Sequence, residues 1–225
     1  ASATWTVTTA DPAGAATFDA AVKGRLNALK PGNAVVKAAK DGKDSPTSNV
    51  TVAEFNGTVT VTANPTSIVA NGISTSAISA AVKTSGGANV VDGVTVAFAK
   101  TAGEGAVAPA TATTVNGVAS TTYTSGTKVG TGTVTGTVGS KSGNATVTLT
   151  AGPATKVGLV ASPTTISSTN PAESTLTATI YDANDNVVTA YVGNVTFGVT
   201  ANTYGDIKTG ETSVAVANGV AVSHV

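Results

Sequence analysis

The sequence predicts an all-β protein built as a row of antiparallel β-sandwiches. First, the chain repeats itself, because the motif Ala-Asn-Pro-Thr-Ser-Ile at 63–68 returns as Ala-Ser-Pro-Thr-Thr-Ile at 161–166. Second, many segments between turns alternate polar and apolar residues, which is the period of a half-buried strand. Third, Thr, Val, Ala, Gly and Ser dominate a chain with only 4% aromatic residues. That composition favours strands and turns over helices.

The repeat extends through both copies. Its offset is 98 residues at the Pro motif, 99 at Phe98 and Phe197, and 102 at the Asn-Gly pairs of 116–117 and 218–219. Insertions in loops produce such a drift. A period near 100 residues is the size of a small domain and is too long for a solenoid unit.

The first copy contains every element of a sandwich. Six segments have strand patterns: 58–62, 77–82, 94–98, 118–123, 131–138 and 144–150. The Asn-Gly pair at 116–117 predicts a hairpin turn, because both residues accept a positive φ. Phe98 is the expected large anchor of a core otherwise made of Val, Ile, Leu and Ala. About seven short strands at this spacing predict a β-sandwich.

The two ends of the chain differ from the central copy. Residues 153–225 restart the pattern, and we expect this copy to be without its last strands. Residues 1–55 are not a third copy; they predict mainly strands, with Trp5 in a core and a short helical turn near Ala20. The predicted division is therefore 1–55, 56–151 and 152–225, with the first and last domains incomplete.

The two copies resemble bacterial immunoglobulin-like domains of group 1, the intimin and invasin type. The motifs are Ala-x-Pro-x-x-Ile and Asn-Gly-Val-Ala in both copies, and Leu-Thr-Ala-Thr-Ile-Tyr-Asp at 176–182 leading to Val-Thr-Phe at 195–197. The segment 4–53 resembles the rear part of a group 2 domain, through Thr-Trp-Thr at 4–6 and Ala-Leu-Lys-Pro-Gly at 28–32. The resemblance implies tandem immunoglobulin-like sandwiches.

Charge and composition exclude several classes of function. Twelve basic residues balance twelve acidic ones, so we expect no nucleic-acid partner, which would require a basic patch. There is no Cys, hence no thiolate metal ligand or Cys nucleophile. No apolar run approaches the roughly 20 residues that span a bilayer, so we expect no membrane span.

The residues offer little for catalysis. The only His, His224, is expected on an exposed or edge strand rather than beside a nucleophile. The carboxylates are scattered along the chain, and most of them lie in predicted turns. The Gly-rich stretch at 130–136 alternates with Thr and Val as a strand does and does not precede a helix, so it is not a phosphate loop. We therefore predict that the chain is not an enzyme and requires no cofactor.

The densest cluster of side-chain oxygens is a candidate calcium site. It consists of Asp182, Asn184, Asp185 and Asn186, and calcium binds carboxylate, amide and carbonyl oxygens. The spacing is not that of an EF-hand. The favoured interpretation is a hairpin turn, since Asn and Asp accept left-handed backbone geometry. Calcium stays open because an ion at a domain joint would stiffen a chain of domains.

The resemblance to bacterial immunoglobulin-like domains implies a structural role at a bacterial cell surface. The composition resembles that of S-layer proteins, so the first expectation is a secreted S-layer subunit that contributes spacing and lattice assembly. Its partners would be neighbouring subunits, and a cell-wall polymer contacted through other regions. The alternatives are the stalk of an intimin- or invasin-like adhesin and the spacer of a secreted polysaccharide-active enzyme.

Overall fold

The computed structural model describes residues 3–11, 16–18, 26–28, 31–167, 172–200 and 205–225. Twenty strands and no helix occur in these residues, which confirms the all-β prediction. It follows that the described part of the chain also contains no helix of membrane-spanning length and hydropathy. The helical turn expected near Ala20 lies outside the described residues.

The N-terminal part forms one sheet and a separate hairpin. Its strands are β1 (Thr4–Asp11), β2 (Ala16–Phe18), β3 (Leu26–Ala28), β4 (Gly32–Lys40), β5 (Lys43–Asp44) and β6 (Ser48–Val52). The strand β4 pairs with β1, β5 and β6, and β2 pairs with β3. Trp5 contacts Phe18 with ring centroids 5.9 Å apart, but its side chain is 43% exposed. The prediction of Trp5 as a core residue was therefore wrong, because β2 covers only part of the ring.

Residues 58–150 form the central sandwich, which has two antiparallel layers joined to one parallel edge strand. Its strands are β7 (Thr58–Asn64), β8 (Ser67–Val69), β9 (Thr75–Lys83), β10 (Thr95–Ala102), β11 (Ala106–Ala108), β12 (Thr111–Thr113), β13 (Val118–Thr124), β14 (Gly130–Val138) and β15 (Lys141–Thr150). One sheet has the order β11-β13-β9-β7, and the other has the order β12-β10-β14-β15-β8. All six predicted strands of this copy are present, and β8, β11 and β12 are additional.

Alternation places the core of the central sandwich between these sheets. In β9 every second residue is buried, and in β7 Val59 and Val61 are buried and Ala63 is partly buried, as the period of a strand requires. Phe98 is buried as predicted, and so is Tyr123, which the sequence analysis did not single out. The Tyr123 hydroxyl donates a hydrogen bond to the Glu104 carbonyl oxygen. A Cβ at Gly132 would overlap the Tyr123 hydroxyl, which explains a glycine inside strand β14.

The described residues of 156–225 form two smaller sheets, here called the C-terminal sheets. Their strands are β16 (Lys156–Ser162), β17 (Thr175–Tyr181), β18 (Asn194–Thr196), β19 (Ser213–Ala215) and β20 (Val220–His224). The orders are β16-β17-β20 and β18-β19. Ala178, Phe197 and Ala221 are the buried apolar residues of their core, so Phe197 is the anchor that the repeat predicted.

The repeat in the sequence is also a repeat in local structure. The Ser76 hydroxyl donates to the Pro65 carbonyl oxygen at 2.7 Å, and the Ser174 hydroxyl donates to that of Pro163 at 2.6 Å. Asn116 and Asn218 have φ values of 52° and 53°, so both Asn-Gly turns have the predicted positive φ. The predicted boundaries at 55/56 and 151/152 remain a prediction; Phe55 itself packs on the core of the central sandwich.

Candidate functional site

The richest polar network that the structure describes surrounds Asp182, in the turn after β17. The Asp182 amide donates to the Asn186 carbonyl oxygen at 2.9 Å, and Asp185 adopts a φ of 60°. This geometry is the tight turn that the sequence predicted. The side chains of Asp182 and Asn186 are buried, whereas residues of a surface turn are ordinarily exposed.

The Asp182 carboxylate accepts four hydrogen bonds. Its Oδ1 accepts from the amides of Asn184 and Asn186, at 2.8 and 2.9 Å. Its Oδ2 accepts from the Gly152 amide and the Asn186 Nδ2, both at 2.9 Å. Gly152 is the second residue after β15, the last strand of the central sandwich. The carboxylate therefore binds this linker to the C-terminal sheets.

These bonds keep Asp182 ionised. Burial by itself would raise the pKa of this carboxyl, but the hydrogen bonds from Asn186, Gly152 and Asn184 outweigh it and lower the pKa to about 2. A carboxylate that accepts several N–H groups is stabilised in its charged form. At neutral pH the network is therefore organised around a fixed negative charge.

Three further bonds run from side chains of this turn to the central sandwich. The Asn186 Oδ1 accepts from the Val129 amide at 3.0 Å, and its Nδ2 donates to the Thr127 carbonyl oxygen at 2.8 Å. The Asn184 Nδ2 donates to the Ala70 carbonyl oxygen at 3.2 Å. A fourth bond runs the other way, from the Lys128 ammonium to the Asn184 carbonyl oxygen at 2.8 Å.

We call this set of contacts the Asp182 joint. It consists of Asp182, Asn184 and Asn186 on one side, and on the other the linker residue Gly152 with the loop segments around residues 70 and 127–129. Every buried side-chain polar atom that the structure describes has a hydrogen-bond partner, so the joint is fully satisfied. A satisfied buried network specifies one arrangement of the groups that it connects.

A cleft with a mainly apolar lining lies beside the Asp182 joint. Its volume is about 260 Å³, and it is lined by Val129, Leu149, Ala151, Val187 and Val188, among others. Residues of the central sandwich and of the C-terminal part of the chain, here called the two bodies, both line this cleft. Directional bonds, which fix orientation, are concentrated on the Asp182 side.

The four predicted calcium ligands do not share one arrangement in space. Asp182, Asn184 and Asn186 meet in the joint, whereas Asp185 points outward and pairs with the Lys156 ammonium. The hydrogen bond from Lys156 lowers the pKa of Asp185. Both oxygens of Asp182 already accept two N–H groups, so a calcium ion would have to displace them.

Among the described residues no three acidic, His or Cys side chains are grouped so that they could hold a metal. Calcium binding here remains a prediction. Isothermal calorimetry with and without a chelator tests it. Binding heat at micromolar calcium would support the site. The absence of binding heat at any calcium concentration below the millimolar range would refute it.

Sequence reasoning identified one half of the joint and missed the other. The cluster of oxygens at 182–186 was visible because four polar residues lie within five positions. The partners at Ala70, Thr127, Val129 and Gly152 contribute only backbone atoms. Since every residue type has a backbone amide and carbonyl, no side-chain pattern marks these positions.

His224 lies on β20, opposite Thr175. Its Nδ1 is 2.7 Å from the Glu211 Oε2, and the hydrogen bond from His224 lowers the pKa of Glu211. The pair joins β20 to the loop before β19. The histidine therefore lies on a strand and contacts the carboxylate of a neighbouring loop. That it is not catalytic stays a prediction.

Comparison with known proteins shows likeness in structure. No family model and no curated protein sequence matches the chain. Among solved structures, invasin, a bacterial integrin-binding protein, matches with a TM-score of 0.51 and 22% identity over 88% of this chain. InvD of Yersinia pseudotuberculosis matches with a TM-score of 0.50 and 22% identity over 76% of this chain. The chain has the tandem immunoglobulin-like fold of these structures.

The match covers only part of each of these proteins. The chain spans 40% of the invasin structure and 49% of the InvD structure. The likeness therefore concerns a row of sandwiches within a longer molecule.

Proposed function

We propose that this chain is a stalk segment of a bacterial cell-surface protein, which holds a binding region at a distance from the cell. Its work is mechanical: it sets the spacing and the direction of the domains that it connects. We also propose that the segment itself performs no catalysis and needs no cofactor.

The observation that carries this proposal is the Asp182 joint. A flexible tether needs only a polar linker, and Gly- or Ser-rich linkers behave as random coils. Here the linker amide of Gly152 is bound by a buried carboxylate. Two asparagine side chains reach across to backbone atoms of the central sandwich. This arrangement suits a segment that must transmit direction.

The fold comparison supports a stalk more than a lattice. Invasin is described as a bacterial integrin-binding protein, and a protein that binds a host receptor needs its binding region away from the cell. The structures reported above contain no S-layer protein, so the first expectation of the sequence analysis, an S-layer subunit that self-assembles, gains no support from them. The adhesin stalk, which the sequence analysis gave as an alternative, is the better-supported interpretation.

The test uses the full protein on its own cells. In one variant residues 56–151 are deleted, and in a matched control they are replaced by an unrelated immunoglobulin-like module of similar length. A spacer role predicts that deletion brings the outermost epitope closer to the cell and that replacement restores its distance, as measured by immuno-electron microscopy. A surface location predicts that antibodies to the central sandwich label intact cells.

Two results would contradict the proposal. Labelling that requires cell lysis would exclude the surface location. Regular two-dimensional sheets in micrographs that disappear equally in both variants would identify a lattice subunit, because the specific surfaces of the module, and not its length, would then matter.

A further inference from the structure

The central sandwich meets the Asp182 joint with a loop whose shape the sheets do not fix. Residues 125–129 connect β13 to β14 and belong to neither strand. This loop offers Asn186 the carbonyl oxygen of Thr127 and the amide of Val129. Hydrogen bonds weaken steeply when donor and acceptor are misaligned. The joint therefore requires that something else hold the backbone of this loop.

Glu104 holds the loop from the central sandwich. Its Oε2 accepts hydrogen bonds from the amides of Thr127 and Lys128, at 3.2 and 3.0 Å. One carboxylate oxygen thus binds two consecutive amides. Thr127 is also the residue whose carbonyl oxygen accepts from Asn186, and the next amide after Lys128 is the one that donates to Asn186. Glu104 can therefore act on the joint through the loop.

The residues around Glu104 let it approach the loop closely. The Tyr123 hydroxyl, which is buried, donates to the Glu104 carbonyl oxygen and ties its backbone to the core. A Cβ at Gly126 would lie 2.5 Å from the Glu104 Cβ and 2.6 Å from its Oε2. Gly105 has a φ of 99°, and its Cβ would overlap the Tyr123 hydroxyl. Two glycines thus leave the room that Glu104 occupies.

The second loop that receives the joint is tied to the first. The Ser125 hydroxyl donates to the Asn71 Oδ1 at 3.3 Å, and its oxygen accepts from the Gly72 amide at 3.2 Å. Asn71 directly follows Ala70, whose carbonyl oxygen accepts the third side-chain bond of the joint. The loops around residues 70 and 127–129 therefore form one connected unit.

We propose that Glu104 is a positioning residue of the Asp182 joint. It fixes loop 125–129 in the shape that Asn186 binds, and it thereby sets the direction of the C-terminal sheets relative to the central sandwich. This inference rests on the proposed stalk function, in which the joint transmits direction. The acting group is the acceptor oxygen rather than the negative charge, since both amides bind one oxygen and the amide oxygen of a Gln can accept the same two bonds.

Three substitutions at position 104 separate these properties in the full chain. E104A removes the acceptor. E104Q keeps an acceptor oxygen at the same reach without the charge. E104D keeps the charge on a side chain that is one methylene shorter, so that its oxygens lie farther from the loop amides.

Asp92 provides the matched control. Its Oδ1 accepts from the Asn116 amide at 2.6 Å, in the turn before β13. Asp92 thus holds a loop at one end of β13 as Glu104 holds a loop at the other end. The substitution D92A removes a comparable bond from the same sandwich at a place remote from the joint.

Residual dipolar couplings report whether the two bodies share one alignment, and hydrogen exchange of the Val129 amide reports its bond to Asn186. We expect independent alignment in E104A and E104D, with exchange of the Val129 amide about tenfold faster, as the loss of one ordinary hydrogen bond produces. E104Q and D92A should keep the shared alignment and the exchange rate of the parent chain. E104D carries the test if E104A folds poorly.

Shared alignment and unchanged exchange in E104A and E104D would overturn the proposal. An E104Q chain that behaves like E104A, or a loss of shared alignment in D92A, would overturn it as well. The double substitution N184A with N186A removes the bonds of the joint itself and serves as the reference. If the reference loses the shared alignment and the Glu104 variants keep it, the role of Glu104 is refuted and the joint stands. Shared alignment in the reference would refute the joint, and with it the observation that carries the proposed function.

Discussion

The turn at 182–186 and the turn at 84–88 occupy the same place in two copies of one fold. Both close with the same backbone bond: the Asp182 amide donates to the Asn186 carbonyl oxygen at 2.9 Å, and the Thr84 amide donates to that of Ala88 at 2.8 Å. Both have a positive φ at the fourth residue, 60° at Asp185 and 81° at Gly87. The backbone conformation is therefore common to the two turns.

Their side chains act differently. The Thr84 hydroxyl bonds only within its own turn, to the Ala88 carbonyl oxygen at 3.3 Å. The Asp182 carboxylate organises a network that reaches Gly152, and through Asn186 it reaches Thr127 and Val129. The backbone closes both turns in the same way. Only the turn at 182–186 adds buried polar side chains, and these contact the linker and the central sandwich. The predictions below use the plain turn as the reference for the joint.

Exchanging the turns should have the largest effect. We expect a chain whose residues 182–186 are replaced by Thr-Ser-Gly-Gly-Ala to keep its C-terminal sheets folded, because the turn at 84–88 closes with the same bond. Four side-chain bonds across the joint would be lost: the one to the Gly152 amide and the three to the central sandwich, the latter at about 1 kcal/mol each. Residual dipolar couplings should then show independent alignment of the two bodies. A single shared alignment in the exchanged chain would show that the joint does not depend on these side chains.

Removing the carboxylate alone should have the next largest effect. The substitution D182A leaves the amides of Gly152, Asn184 and Asn186 without their acceptor, and hydrogen bonds to a charged group are worth about 1.5–3 kcal/mol. We expect the free energy of unfolding of the C-terminal sheets to fall by about 2–3 kcal/mol, measured by denaturant titration. The matched control T84A should change stability by less than about 0.5 kcal/mol. Equal losses in the two variants would remove the distinction between joint and turn.

Acid should loosen the joint but not the reference turn. The pKa of Asp182 is lowered to about 2 in the folded chain, against about 3.9 in an unfolded one. A lowered folded-state pKa stabilises the fold above the unfolded value and loses that contribution as the pH falls. We expect the joint to be intact at pH 5 and to weaken between about pH 4 and pH 2, as followed by the carboxyl carbon shift of Asp182 and by dipolar couplings. The variant D182N should show no such transition.

Breaking the outward ion pair should have the smallest effect. Lys156 and Asp185 are both largely exposed, and exposed pairs contribute little because water and salt screen them. We expect K156A to leave the alignment of the two bodies unchanged and to raise the pKa of Asp185 toward its ordinary value. A loss of shared alignment in K156A would mean that the ion pair, and not the buried network, holds the joint.

The long strands and the hairpin turns could be predicted from the sequence, whereas the contacts between distant segments could not. Alternation located the long strands of the central sandwich, and Asn-Gly located both hairpin turns. The short strands β8, β11 and β12 have too few residues to show a period. The burial of Tyr123 and the half-exposed position of Trp5 depend on which segments pack over each ring, and no local pattern reports that.

By itself the sequence determined the long strands of the central sandwich, the Asn-Gly turns and the repeat, because side-chain period and positive φ are properties of neighbouring residues. Only the tertiary structure decided that Asp182 binds the Gly152 amide 30 positions away, and that Asn184 reaches the Ala70 carbonyl 114 positions away. It also decided that Val59 is covered while its counterpart Val157 is not. Those contacts use backbone atoms or depend on a covering strand, and both become specific only when the sheets are packed together.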